Sequence, residues 1–273
     1  LSIGESKLLP QNAGLLPEHK NSLVDLAVKV VKFAKLLPSA LLYRVSHTDI
    51  YQQDRLSSPY QIPVLEFSDI ASFSSIQPSL SISIEADLPL KQAPESKIIM
   101  FRNSNGKEEH FAIVVGEGLS VKEPLVRLHS QCLTGDVFGS LKCDCGDQLQ
   151  TALFLMSSAG AGVVLYLAQE GRDIGLLNKI RAYALQDAGL DTVEANHSLG
   201  FDTDERGFST AVEMLNLLEL SHIKLLTNNP DKVKQLSELG ITITQRLPLV
   251  LPTNPHNENY IKVKKEKTGH LLS

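Results

Sequence analysis

The segment HIKLLTNNPDKVKQLSELGITITQ (residues 222–245) joins two short apolar runs through a stretch with helical spacing. We predict strands at His222–Thr227 and Ile241–Gln245 and, between them, a helix over Asp231–Leu239 that ends at Gly240. Two strands that are connected through a helix usually lie parallel in one sheet. This segment therefore predicts an α/β fold.

The residues before this unit extend the same pattern toward the N-terminus. We predict a hairpin of Lys97–Arg102 and Glu109–Val115, because a turn signal at residues 103–106 separates the two runs. The other predicted elements are strands at Val126–His129 and Gly162–Leu167 and helices at Leu149–Met156, Ile174–Gln186 and Ala211–Leu218. Together they predict a mixed sheet, with an antiparallel region before the cysteine-containing segment at residues 132–145 and parallel strand–helix units after it.

The first third of the chain differs from the rest in composition. Apolar residues at helical spacing predict an amphipathic helix over residues 23–37, and a Ser- and Pro-rich stretch of short strands and loops follows over residues 43–83. We therefore predict an N-terminal accessory region over residues 1–83 and a catalytic domain over residues 84–273. The role of the first region is unknown, and a packing or dimerisation segment is the favoured interpretation.

Charge and hydropathy exclude several classes of protein. The net charge of -5 lacks the basic excess with which nucleic-acid-binding proteins neutralise phosphates, so we expect no nucleic-acid partner. We also expect no membrane span, because the longest apolar stretch, Val24–Tyr43, carries Lys29, Lys32 and Lys35. No secretory leader pattern is visible, which favours a cytoplasmic protein. Since the first residue is Leu1 rather than Met, we expect a segment upstream of it.

All three cysteines, Cys132, Cys143 and Cys145, lie within one short segment. An odd, clustered set is not a disulfide framework, so it favours thiolates used for metal binding or for chemistry. Zinc prefers such ligands, and three of them leave the fourth position open, as in catalytic zinc sites. His129 is near enough in sequence to close a structural site instead, and buried free cysteines are the remaining alternative.

Several motifs in one order make the family recognisable. They are RLHSQCLTGD (127–136), CDCG (143–146), QEGR (169–172), IGLLNK (174–179), RAYALQ (181–186), NH (196–197), LGF (199–201), DER (204–206), LTNNP (226–230) and GHLL (269–272). This set resembles the GTP cyclohydrolase II family over about residues 84–273 and leaves the first third of the chain unexplained.

The resemblance implies a function and a role for each matching position. In this family zinc-dependent hydrolysis of GTP opens the imidazole ring at C8 and releases formate and pyrophosphate, the first step of riboflavin biosynthesis. The product is 2,5-diamino-6-(5-phosphoribosylamino)pyrimidin-4(3H)-one. The resemblance further implies a homodimer, one Zn²⁺ per chain and Mg²⁺ with the triphosphate. By position it implies the metal ligands Cys132, Cys143 and Cys145, the catalytic residues Asp204 (proton acceptor), Arg206 (nucleophile toward the α-phosphate) and Tyr183 (beside the reacting ring), and the GTP contacts Arg127, Leu128, His129, Ser130, Gln131, Gln148, Glu170, Gly171, Arg172, Thr192, Thr227 and Lys232.

Two of these segments suit phosphate binding on physical grounds alone. Glu170–Arg172 follows a predicted buried strand, where the planar guanidinium of Arg172 is able to reach phosphate oxygens. Thr227–Pro230 precedes a helix whose first amides and whose Lys232 favour an anion. The alternatives are a surface salt bridge for the first segment and an ordinary strand–helix turn for the second. Alternative interpretations also exist for two further sets of residues. Residues 204–206 are a solvated charge run in one, and His129 and His197 are hydrogen-bonded core residues in the other.

Gln131 departs from the family pattern, which usually has Glu immediately before the first cysteine. Three hypotheses follow: an active GTP cyclohydrolase, a paralogue that acts on another ring substrate such as one in pyrimidine degradation, and a non-catalytic zinc-containing nucleotide-binding protein. The presence of Tyr183, Asp204, Arg206 and Lys232 favours an enzyme over the third hypothesis.

Overall fold

The computed structural model describes residues 23–40, 79–104, 106, 108–267, 269 and 271. The chain forms two compact units, Leu1–Gln77 with Ser198–Gly200, and Pro78–His197 with Phe201–Ser273. In the first unit, helix α1 (Leu23–Phe33) confirms the predicted amphipathic helix but is shorter than predicted. It ends early because Lys35 adopts a left-handed backbone (φ 55°) and the amide of Leu36 donates to the carbonyl of Val31, as in a Schellman motif. The strands predicted within residues 43–78 lie outside the described residues.

The second unit contains a seven-stranded mixed sheet in the order β1-β2-β3-β5-β4-β6-β7. Its strands are β1 (Leu80–Asp87), β2 (Ser96–Asn103), β3 (Glu109–Gly116), β4 (Leu125–Ser130), β5 (Ala161–Leu167), β6 (His222–Leu226) and β7 (Thr242–Leu247). The pairs β1/β2, β2/β3 and β3/β5 are antiparallel, and β5/β4, β4/β6 and β6/β7 are parallel. The predicted change from antiparallel to parallel pairing is confirmed. Strand β1 begins at Leu80, ahead of the boundary that we placed at residue 84.

Seven helices of the described residues follow the hairpin. They are α2 (Leu133–Asp136), α3 (Cys145–Ser158), α4 (Leu176–Asp187), α5 (Thr192–Ser198), α6 (Ser209–Leu217), α7 (Pro230–Glu238) and α8 (Glu258–Lys267). Helices α3, α4, α6 and α7 are those predicted from apolar periodicity. Helices α2, α5 and α8 were not predicted, because the first two are short and the third is mostly charged or polar. None of the described helices combines the length and the apolar character that a bilayer crossing requires.

Strand β5 is apolar throughout because the sheet is covered on both faces at its centre. Val163 and Leu165 belong to a cluster that also contains Met214 of α6, whereas Val164 belongs to a second cluster with Met156 of α3. Successive side chains of a strand point to opposite faces, so a strand covered on both sides must be apolar at every position. The parallel strands β4, β5 and β6 therefore form the buried centre of the sheet, and their carboxyl ends meet at one edge.

Candidate active site

A cleft of about 160 Å³ lies at the carboxyl ends of β4, β5 and β6. All of the predicted site residues except Asp204 line it: Arg127, Leu128, His129, Ser130, Gln131, Cys132, Cys143, Cys145, Gln148, Glu170, Gly171, Arg172, Tyr183, Thr192, Arg206, Thr227 and Lys232. Asp204 contacts the cleft through Arg206. The open ends of parallel strands in α/β sheets are where ligands usually bind. The fold therefore brings predicted site residues that are dispersed over positions 127–232 into one cavity, although their individual roles stay predictions.

The three cysteine sulfurs form one cluster. Their Sγ atoms all lie within 4.8 Å of one another, and those of Cys132 and Cys143 are 3.7 Å apart. Two thiolates bound tetrahedrally to zinc at about 2.3 Å lie about 3.8 Å apart, so this spacing fits a zinc ion. Cys132 immediately precedes α2 and Cys145 begins α3, so two adjoining helices bring the ligands together. Hydrogen bonds from Cys143 and Cys145, together with the ammonium of Lys179, hold the pKa of the Cys132 thiol far below its usual range.

His129 is not part of this sulfur cluster. Its Nε2 lies 3.1 Å from both carboxylate oxygens of Asp136, which also accepts hydrogen bonds from the Tyr166 hydroxyl (2.8 Å) and the Cys132 amide (3.0 Å). Burial lowers the pKa of His129 despite this carboxylate. Among the described residues, the group able to hold a metal contains the three cysteines and no histidine. The geometry therefore favours the hydrogen-bonded interpretation of His129 over a fourth metal ligand.

Arg127 lies buried at the base of the cleft. Its guanidinium donates to the Leu226 carbonyl at 3.3 Å and to the side-chain oxygen of Gln148, whose amide in turn donates to Asp144. Burial lowers the pKa of Arg127 to about 10, which still leaves it protonated at neutral pH. Its Nε has no partner among the described residues. A buried, charged donor of this kind is suited to a polar ligand group that completes its hydrogen bonding.

The segment after β5 carries Glu170, Gly171 and Arg172 in an unusual conformation. Gly171, Arg172 and Asp173 all have positive φ (64°, 59° and 74°), which is rare for residues with side chains. The Arg172 guanidinium donates to the Thr203 carbonyl at 2.9 Å, and the Glu170 carboxylate accepts from the Leu133 amide at 2.7 Å. Both side chains are thus engaged inside the site, so the surface-salt-bridge alternative for this segment is wrong.

Asp204 and Arg206 form a two-point ion pair. The Arg206 Nε and Nη2 donate to the two carboxylate oxygens of Asp204 at 2.8 and 2.5 Å, and Nη1 donates to the Ser130 hydroxyl at 3.2 Å. Although burial opposes both effects, these bonds lower the pKa of Asp204 and raise that of Arg206. The Arg206 side chain is only 12% exposed, against 36% for Asp204, so Arg206 at least is not part of a solvated charge run.

The β6–α7 turn forms another wall, as the sequence predicts. Asn229 caps α7 by accepting from the Asp231 amide at 2.9 Å, and Pro230 is the first helical residue. Lys232 donates to the Leu128 carbonyl at 3.1 Å and so projects back toward β4. The amide of Leu271 donates to the carbonyl of Asn228 at 2.8 Å, which ties the C-terminal segment to this turn.

Two aromatic hydroxyls and one lysine complete the cleft. Tyr183 lies between Lys142 and Lys179, whose Nζ atoms are 5.2 and 5.7 Å from its ring centroid, and burial raises its pKa. Tyr260 reaches the cleft from α8. Neither Lys179 nor Tyr260 was singled out from the sequence as a site residue. For Lys179 the signal was its place in the quoted IGLLNK motif, whereas nothing in the charged sequence of α8 distinguishes Tyr260. His197, by contrast, lies against the Thr203 hydroxyl at 3.2 Å and does not line the cleft.

Comparison with known proteins identifies a family. A family model described as GTP cyclohydrolase II matches residues 81–248. GTP cyclohydrolase-2 from Azospirillum brasilense is 42% identical over 248 residues, which cover 90% of this chain and 64% of the relative. Riboflavin biosynthesis protein RibBA from Endomicrobium trichonymphae is 39% identical over 254 residues, which cover 91% and 63%. GTP cyclohydrolase-2 from Cronobacter sakazakii is 50% identical over 195 residues, which cover 68% and 99%.

The extent of these matches differs at the N-terminus. The chain spans less than two thirds of the length of the A. brasilense and E. trichonymphae relatives. Because about nine tenths of the chain is matched and the family model starts at residue 81, these two matches extend into the first third of the chain. That region therefore has a counterpart in longer relatives, which the family resemblance over residues 84–273 did not reveal.

Proposed function

The chain belongs to the GTP cyclohydrolase II family, and from this we propose that it hydrolyses GTP at C8 of the guanine ring. The proposed products are formate, pyrophosphate and 2,5-diamino-6-(5-phosphoribosylamino)pyrimidin-4(3H)-one, at the entry to riboflavin biosynthesis. The proposal includes a catalytic domain that begins near residue 84, an accessory role for the residues before it, a cytoplasmic location and a homodimer. Light scattering on the purified chain tests the homodimer directly.

The observation that carries this proposal is the composition of the cleft. It is lined by three cysteine sulfurs and also by the cationic side chains of Arg172, Arg206 and Lys232. A nucleoside triphosphate needs both features if a metal acts on its base while cations hold its phosphates. The cations come from the segment after β5, the residues before α6 and the first turn of α7.

The cysteine cluster fits zinc better than it fits magnesium. Thiolates are soft ligands that select zinc, whereas magnesium takes oxygen ligands and accompanies phosphates. We therefore assign Zn²⁺ to Cys132, Cys143 and Cys145 and Mg²⁺ to the triphosphate. When bound, zinc supplies Lewis-acid chemistry and lowers the pKa of a water in its open position to about 7.

The remaining side chains bind and orient the substrate. Arg127, Gln131 and Gln148 line the cleft near the sulfur cluster, where we expect them to contact the base. Glu170 is held by the Leu133 amide and by Lys179, so its carboxylate is fixed before the substrate arrives. Tyr183 lines the cleft together with the cysteines, and its raised pKa keeps the hydroxyl protonated, which suits it to donate a hydrogen bond to the opening ring.

The ion pair of Asp204 and Arg206 determines where the proton resides before the reaction. Because the pairing raises the pKa of Arg206 and lowers that of Asp204, the guanidinium is protonated and the carboxylate ionised. In this arrangement Arg206 binds the α-phosphate by charge. The nucleophilic role implied by the family requires that Arg206 lose a proton; Asp204 is placed to accept it, but the pairing opposes this transfer.

Incubation with GTP, Zn²⁺ and Mg²⁺ tests the proposal when formate and pyrophosphate are followed together. We expect the wild type to release both products. Cys143→Ser should lose both its zinc and its release of formate. Pyrophosphate without formate from the wild type would show that only the phosphate half of the site acts. Release of neither by folded, zinc-loaded protein would refute the proposed activity.

Gln131 favours a second candidate, a paralogue that opens another purine or pyrimidine ring. Its side chain lines the cleft one residue before Cys132, where the family usually has Glu. Rates of ring opening for a panel of guanine, adenine and uracil compounds distinguish the two candidates. The first proposal requires GTP to react fastest. If GTP is inert and another ring is opened, Gln131→Glu should restore turnover of GTP.

A further inference from the structure

Lys179 joins the cysteine cluster to the segment after β5. It lies on α4 and is 8% exposed. Its ammonium donates to the Cys132 Sγ at 3.0 Å, to the Thr134 hydroxyl at 2.8 Å and to the Glu170 carboxylate at 2.8 Å. An ammonium has three protons to donate, so these acceptors use its full capacity.

The acceptors connect elements that are separate in sequence. Thr134 belongs to α2, which directly follows Cys132, and Glu170 follows β5. The second oxygen of the Glu170 carboxylate accepts from the Leu133 amide at 2.7 Å. Glu170 and Lys179 therefore bond to Leu133 and Thr134, the two residues that follow Cys132. Lys179 also bonds to the Cys132 sulfur itself, so these bonds restrain its position.

The charge of Lys179 also complements the metal centre. Three thiolates around a divalent ion leave one negative charge, and the buried ammonium 3.0 Å from one sulfur offsets it. A hydrogen bond to a ligating sulfur withdraws electron density from it and alters the ion that it binds. Lys142 is a similar distance from the Tyr183 ring, but its ion pair with Asp187 is exposed, and among the described residues no hydrogen bond joins it to a sulfur.

We propose that Lys179 is a positioning residue for the metal centre, which orients the Cys132 thiolate, tunes its electron donation to zinc and couples it to Glu170. This inference rests on the proposed metal site. It does not depend on which ring substrate the enzyme opens.

The test must remove the ammonium without leaving a buried carboxylate unpaired, because an uncompensated buried charge destabilises a protein strongly. We therefore compare Glu170→Gln, which retains Lys179, with the double variant Glu170→Gln/Lys179→Met. The single variant Lys179→Met and the control Lys142→Met complete the set. Thermal unfolding of each metal-free protein monitors folding separately from the metal centre.

The main readout is the absorption of the Co²⁺-loaded proteins, since thiolate-to-cobalt charge transfer reports the electron density on sulfur. We expect the band to move to longer wavelength in the double variant relative to Glu170→Gln, and in Lys179→Met relative to the wild type. Zinc affinity, measured against a chelator, should fall about 10-fold in the same two comparisons, as is usual for residues that orient metal ligands. Lys142→Met should match the wild type in both measurements.

An unchanged band in the folded double variant would overturn the proposal, and so would a wild type without any thiolate charge-transfer band. The second result would also remove the proposed metal site. A wild type that shows the band but does not hydrolyse GTP would refute the proposed activity alone, and the shift in the double variant would still support the role of Lys179.

Discussion

Gly135 lies on α2 between the ligand cysteines, and Gly135→Ala is predicted to destroy the metal site while preserving the fold. A Cβ added there would lie 2.9 Å from the Cys143 Sγ and 3.1 Å from the Cys132 Sγ. Non-bonded heavy atoms pack best at about 3.5–4.0 Å, so these sulfurs would have to move by about 0.6 and 0.4 Å or more. Zinc sites tolerate deviations of only about 0.2 Å in ligand distance.

The expected consequence is a large loss of zinc affinity. Changes to residues that merely orient ligands cost about 10- to 100-fold, so displacement of two ligand atoms should cost about 100-fold or more. That factor corresponds to about 2.7 kcal/mol of binding free energy. The φ of Gly135 lies outside the positive range, so alanine is compatible with its backbone.

Competition with a chromophoric chelator measures the affinity, and circular dichroism in the presence of chelator measures the fold. Gly207→Ala is the matched control, because its φ also lies outside the positive range and its added Cβ would meet nothing nearer than the Ser209 hydroxyl at 4.0 Å. Wild-type zinc affinity in Gly135→Ala would show that the sulfurs do not surround a preformed site. An equal loss in both variants would show that the effect is not specific to the cluster.

The other predictions concern the phosphate side of the cleft and the last helix. Lys232→Met should raise the KM for GTP about 10- to 100-fold through loss of a charge-assisted hydrogen bond, whereas Lys234→Met, 74% exposed on the same helix, should leave KM unchanged; equal KM values in both variants would contradict the role of Lys232. Tyr260→Phe should raise KM about 3- to 10-fold, and Glu266→Ala on α8 is its control; an unchanged KM would place the Tyr260 hydroxyl outside the substrate contacts. Because the folded-state pKa of Asp204 is lowered, its ion pair stabilises the fold above the unfolded pKa of about 3.9 and this stabilisation is lost as pH falls further. Wild type and Asp204→Asn should therefore differ in thermal unfolding at pH 6, and the difference should shrink as pH falls below about 3.9; a difference that does not change with pH would argue against the ion pair.

The sheet was predictable because the burial of a strand is reflected in the pattern of apolar residues in its sequence. Strand β5 is buried on both faces and is a continuous apolar run, and the Asn229–Pro230 pair marks the start of α7. Helix α4 begins at Leu176 rather than Ile174, because Gly175 adopts a φ of 83° at its N-cap and Ile174 is buried in the preceding loop. Helix α8 escaped prediction because its sequence is mostly charged or polar, although it contains the buried Val263.

The site was predictable as a set of motifs but not as an arrangement. No periodicity indicates that Lys179 donates to the Cys132 sulfur. The two residues are 47 positions apart, and the sequence motif around one gives no information about contacts with the other. The consecutive positive φ values at residues 171–173 were likewise hidden, since Arg172 carries no preference for that conformation and Gly171 and Asp173 tolerate it without requiring it. Such contacts depend on the tertiary structure that brings β5, α2 and α4 together.

Strand β4 shows why the metal half and the phosphate half of the cleft belong to one site. Arg127 and His129 project to one side of it and bond to Gln148 and Asp136, near the cysteines. Ser130 projects to the other side and accepts from Arg206. Because side chains alternate along a strand, a shift of β4 by one residue would exchange these two sets at once. The parallel register with β5, Arg127 opposite Val164 and Ser130 opposite Leu167, is therefore a condition for both halves of the proposed reaction, and the apolar packing that fixes it is as necessary to the site as the cysteines are.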